Sequence, residues 1–99
     1  MTIKEQLNGV SLELFVEGRL DTNTAPILEK RIKEYFSCII ELTLNLSAVE
    51  YMSSAGLRVI LATQKMAGTE KRVIIKRPSV FSLQVFEATG MAGILNIQR

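Results

Sequence analysis

Hydrophobic and polar positions alternate strictly from Val10 to Glu17. Val10, Leu12, Leu14 and Val16 fall on one side, and Ser11, Glu13, Phe15 and Glu17 on the other. Period two of this kind marks a strand with one buried face. A second strand-like run, Thr2 to Leu7, precedes it, and the Asn8-Gly9 dipeptide between them tolerates the positive φ that a type I′ turn needs at both positions. The chain therefore begins as an antiparallel hairpin. Phe15 is the odd residue on the polar side, and a neighbouring helix or strand is expected to cover it, with an exposed partner contact as the alternative.

The pattern then lengthens. Asp21-Thr22-Asn23-Thr24 is rich in side chains that bond backbone amides, and Pro26 is tolerated only in a first helical turn, so a helix starts near Ala25 and runs to about Phe36. Its inward stripe reads Ile27, Leu28, Ile32, Tyr35 and Phe36, while Glu29 and Lys33 form an i, i+4 pair on its wet face. Cys38, between Phe36 and Ile39, reads as a small buried hydrophobe. Alternation returns at Ile40, Leu42, Leu44 and Leu46, which predicts a central strand.

That strand runs out into Tyr51-Met52-Ser53-Ser54-Ala55-Gly56-Leu57, after which Leu57, Ile60, Leu61 and Gln64 follow helical spacing to about Ala67, with Gly68 as terminator. Ser54 falls where an N-cap belongs, and the unpaired amides and positive dipole end of the helix could accommodate a phosphate on it. Val73-Ile74-Ile75 is a short strand covered on both faces. Ser79 caps a third helix packed through Phe81, Val85 and Phe86 and closed by Gly90, and Ile94 to Ile97 makes a last strand. The sum is an α/β chain, one domain over 1–99, in which an N-terminal hairpin joins a mixed, mostly parallel sheet packed by helices.

Composition removes several function classes. The 99 residues contain no histidine and one cysteine, so no catalytic imidazole, zinc site or disulfide framework is expected. A net charge of +2, with the basic residues dispersed, nominates neither nucleic acid nor an anionic membrane. No apolar run approaches the ~20 residues that span a bilayer, and no leader pattern is visible, so the chain is expected to be cytoplasmic, without membrane insertion. Neither a P-loop nor G-x-G-x-x-G is present, and Ser54 has no histidine and no G-x-S-x-G context, which argues against a nucleotide site and a serine hydrolase. No cofactor and no catalytic residue is assigned.

Two motifs resemble the STAS domain, in particular the small stand-alone bacterial anti-sigma factor antagonists. That family's phosphorylation loop reads Asp-Ser-Ser-Gly-Leu or Asp-Ser-Ala-Gly-Leu after a strand. Ser53-Ser54-Ala55-Gly56-Leu57 is similar to it, with Ser53 at the Asp position and Ser54 at the phosphoacceptor position. Gly18-Arg19-Leu20-Asp21 resembles the family's Gly-x-Leu-Asp, which closes the second strand. The resemblance implies an anti-sigma factor antagonist. In its unmodified form it would bind an anti-sigma factor that is also its serine kinase, so releasing a sigma factor. Phosphorylation would break that complex and a serine phosphatase would restore it.

The same resemblance puts Asp21 beside the phosphoacceptor, where it is either a turn residue or an aid to kinase recognition. Met52 is either loop packing or an exposed contact. Gly56 allows close backbone approach in the first helical turn. Asp21, Met52, Ser53, Ala55 and Gly56 together form the expected partner-binding loop around Ser54. The alternative function is a STAS scaffold subunit of a larger regulatory or transporter-associated assembly that is never phosphorylated, a reading favoured by the missing aspartate at Ser53.

Overall fold

Backbone hydrogen bonds assemble one five-stranded sheet in the order β1 (Thr2–Asn8), β2 (Ser11–Leu20), β3 (Glu41–Met52), β4 (Arg72–Lys76), β5 (Asn96–Gln98). The structure is a computed structural model and describes residues 1–99. The β1–β2 pair is antiparallel and every later pair is parallel. Helices α1 (Ala25–Tyr35), α2 (Ser54–Ala67) and α3 (Val80–Ala88) make the crossovers, with a short 3-10 turn, Phe36–Cys38, after α1.

Leu12, Leu14, Leu42, Leu44 and Leu46 face a core completed by Leu28 and Ile32 of α1, Leu57 and Ile60 of α2, and Phe86 of α3. The sheet's other face is polar apart from Phe15 and the buried Ile74. There Asn45 donates to the Glu13 carboxylate at 3.3 Å, and Lys76 Nζ lies 3.4 Å from the same group. Phe15 stands among these residues and is 36% exposed. No helix covers it, contrary to the expectation from its alternation.

Strand β3 carries the main irregularity. Its register against β2 passes from Phe15↔Asn45 to Glu17↔Ala48, then from Gly18↔Val49 to Arg19↔Tyr51, so β3 takes up an extra residue at each step. These are β-bulges. They preserve the inward face while spacing its buried residues as Leu42, Leu44, Leu46, Val49 and Met52. Beyond Asn45 the neighbouring β4 has ended, and the amide of Ser79 bonds the carbonyl of Leu46 instead, at 3.1 Å. The start of α3 thus takes over from β4 beside the upper half of β3.

Several expectations at element ends are corrected. Asn8 pairs with Ser11, so the hairpin turn is Gly9-Val10, and only Gly9 has positive φ (64°). A type I′ turn would need both central residues there. Val10 lies in that turn, its carbonyl receiving the amides of Ile40 and Glu41, and Val10 and Ile40, each just ahead of its strand, are exposed. Ile27 is exposed because the stripe of α1 runs through Ala25, Leu28 and Ile32, each about 100° or more away from it around the helix. Cys38 ends the 3-10 turn and is exposed. Phe81 is also exposed, and β5 begins at Asn96 with Ile94 in the loop before it.

The remaining helix signals correspond to structure. Lys33 lies 3.8 Å from Glu29, the Ser79 hydroxyl accepts the Ser82 amide at 3.1 Å, and the amide of Gly68 closes α2 on the Gln64 carbonyl. Glu5 of β1 fastens α1 to the sheet edge by accepting from Arg31 and Tyr35.

Leu44 and Ile60 are fully buried from opposite layers of the same core. Leu44→Ala and Ile60→Ala should each destabilise the fold by ~2–5 kcal/mol in chemical denaturation, through lost burial plus the cavity left behind.

Candidate functional site

The C-terminal ends of β2 and β3 lie side by side, Leu20 opposite Met52, and from there the chain turns into α2. The amide of Ser53 donates back to the carbonyl of Leu20 at 2.9 Å, which holds Ser53 in an extended conformation (φ −90°, ψ 175°). The Ser53 carbonyl then accepts the first helical bond, from Leu57 at 3.1 Å. Ser53 is therefore the N-cap and Ser54 the first helical residue, so the helix starts one position earlier than the sequence pattern suggested. The backbone bond to Leu20 decides the boundary.

The two serines differ in access. The Ser53 hydroxyl is buried and has no hydrogen-bond partner, so it neither caps the helix nor reproduces the hydrogen bonding of an aspartate. Ser54 is exposed in the first turn of α2. There the amides that lack intrahelical acceptors and the positive dipole end favour an anionic group.

Gly56 is buried because the helix sits directly on the end of β2. A Cβ at this position would stand 2.6 Å from Leu20 Cγ and 2.9 Å from the Leu20 carbonyl oxygen. The close approach expected of Gly56 is thus made to Leu20, the residue whose carbonyl also anchors Ser53.

Asp21 follows Leu20 and builds the neighbouring loop. Its Oδ1 accepts from the amides of Asn23 (3.0 Å) and Thr24 (3.2 Å), and its own amide donates to Thr24 Oγ1 at 2.8 Å. Desolvation works to raise the Asp21 pKa. The bonds from Asn23 and Thr24 and the Arg19 charge outweigh it, so the carboxyl is held below its ordinary 3.8. Arg19 lies 3.7 Å from Asp21 Oδ2 and 4.2 Å above the Tyr51 ring, which in turn packs against Phe81 at 5.5 Å between centroids. A ladder of Asp21, Arg19, Tyr51 and Phe81 so borders the serine loop.

The structure gathers Asp21, Ser53, Ser54, Ala55 and Gly56 at one end of the sheet. Ala55 is half-buried on a cleft of about 330 Å³ between α1 and α2, which it shares with Thr22, Pro26, Glu29 and Arg58. Met52 belongs elsewhere. It is 3% exposed and faces the core with Leu20, so it is packing and not a partner contact. Sequence reasoning missed the structural parts of Leu20, Thr24 and Tyr51. The Asp-x-x-Thr spacing could have exposed Thr24, but the bulge that pairs Tyr51 with Arg19 has no marker in the sequence.

A mixed sheet with this strand order, ending in a serine loop at the head of α2, defines a protein class that sequence comparison confirms. The STAS domain family model matches residues 2–99, and the chain belongs to that family. Among individual relatives, it is 29% identical over 89 residues to an anti-sigma-B factor antagonist of Listeria monocytogenes, covering 88% of this chain and 78% of that protein. It is 37% identical over 75 residues to the anti-sigma-F factor antagonist RsfB of Mycobacterium tuberculosis, covering 74% and 61% respectively. The crystal structure of an anti-sigma factor antagonist from Mycobacterium paratuberculosis superimposes with a TM-score of 0.89 at 26% identity, covering 98% of this chain and 84% of that one.

Gly56→Ala should cost ~1–3 kcal/mol in denaturation, the range for overpacking, because the obstacle includes the Leu20 backbone and not only a flexible side chain. An NMR titration of Asp21 should give a midpoint below 3.8. A depressed carboxyl pKa stabilises the fold above its unfolded value, about 3.9, and that contribution fades as pH falls through the lower folded value. The stability difference between the wild type and Asp21→Asn should therefore shrink on acidification below about pH 4.

Proposed function

We propose that this chain is an anti-sigma factor antagonist whose binding is switched by phosphorylation of Ser54. The observation that carries the reading is the contrast between adjacent hydroxyls, with Ser54 exposed in the first turn of α2 and Ser53 buried beneath it. The names of the Listeria and Mycobacterium relatives support the antagonist role. On this reading the unmodified protein binds an anti-sigma factor that is also a serine kinase, and the sigma factor is set free. Phosphate on Ser54 brings about −1.5 to −2 charges into the contact, and a penalty of about 1.4 kcal/mol already weakens binding tenfold. A serine phosphatase resets the switch. The chain itself catalyses nothing, ATP is held by the kinase, and the exchange takes place in the cytoplasm.

The test is mass spectrometry after incubation with the cognate kinase and ATP, together with pull-down of that kinase. One phosphate should appear, on Ser54. Ser54→Ala should abolish it while retaining the partner, and with Ser53 as the N-cap this substitution removes no capping bond. Ser54→Asp should weaken the complex, though less than phosphate, because it carries one charge and fewer acceptor oxygens. Ser53→Ala should still be phosphorylated. Phosphate on Ser53, or none with a confirmed kinase, would instead favour an unphosphorylated scaffold subunit, the role that the Ser53 departure suggests.

A further inference from the structure

Arg58 lies four residues beyond Ser54 in α2, and both side chains are exposed. Residues at i and i+4 have Cβ atoms about 5–6 Å apart on one helical face, and an acidic group N-terminal to a basic one is the favourable order. Arg58 has no carboxylate within ion-pairing distance and no side-chain hydrogen bond. Two other charges near the loop are engaged. Arg19 is stacked on Tyr51 and close to Asp21, while Glu29, across the cleft on α1, lies 3.8 Å from Lys33.

We infer that Arg58 is the intramolecular partner of the phosphate on Ser54, and that modification therefore withdraws this guanidinium from the binding surface as it adds the dianion. A guanidinium can meet a phosphate with two parallel N–H···O bonds, and such charge-assisted pairs are among the stronger ones. The local charge at the head of α2 then changes from +1 to between about −0.5 and −1, a reversal of sign and not simple neutralisation. A partner surface that suits Arg58 in the unmodified state meets both the loss of that cation and a new anion.

The inference rests on Ser54 being the acceptor, so its test avoids the kinase. Phosphoserine is placed at position 54 during synthesis of the full chain, and its second ionisation is followed by ³¹P NMR. Arg58 stabilises the dianion and lowers this pKa, so Arg58→Gln should raise it by about 0.3 unit, the shift equivalent to one exposed i, i+4 ion pair. Arg58→Lys should retain most of the lowering, and Arg19→Gln should leave the value unchanged. No rise in Arg58→Gln, or a larger rise in Arg19→Gln, would overturn the pairing. A kinase that ignores Ser54 would instead overturn the functional reading and leave the titration result standing.

Discussion

The site depends on a missing methyl group. Because residue 56 has no Cβ, the first turn of α2 rests on Leu20, which is itself fully buried at the end of β2. The Leu20 carbonyl is then close enough to receive the Ser53 amide. One contact thus fixes where the helix starts, which serine is the N-cap and which faces solvent. It also brings the Asp21 loop beside the serine loop, since Asp21 is the next residue after Leu20. Close-packed interiors do not absorb even a small added volume at such a junction without moving backbone.

The path into the junction is set by β3. Two bulges let a strand of 12 residues keep an inward face while Tyr51 meets Arg19 and Phe81. Bulges commonly re-aim side chains near binding sites. Here they place Tyr51 on the outer face as Met52 turns inward, so consecutive residues serve the ladder bordering the loop and the core respectively.

Much of this architecture was legible in the sequence because it follows from periodicity and punctuation. The alternation in β2, the Ser79 cap, the Gly68 terminator and the uniformly apolar Val73-Ile74-Ile75 each report a local constraint that side-chain chemistry expresses. What was illegible lies where tertiary context overrides pattern. Val10 and Ile40 continue their strands' alternation yet lie just ahead of the paired strands and are exposed, and Cys38 is carried outward by a 3-10 turn. Phe15 obeys its alternation, but periodicity reports which face a residue takes and not whether anything covers that face. In the site, motif spacing located the loop and its members, while the one-residue displacement of the helix start required knowing the Leu20 bond.

The serine at position 53 gains a physical explanation from the same geometry. An N-cap side chain ordinarily satisfies one of the free amides of the first turn. In this chain the loop is held without that bond, by the Ser53 amide on Leu20, by the Gly56 contact, and by the Asp21–Thr24 turn next to it. Loss of an acidic side chain at 53 therefore leaves the backbone of the loop in place. It also leaves the first turn without a carboxylate at its mouth, since α2 has no acidic residue there. A dianion on Ser54 consequently meets unspent dipole and a free Arg58, where an aspartate beside it would have opposed it by like-charge repulsion.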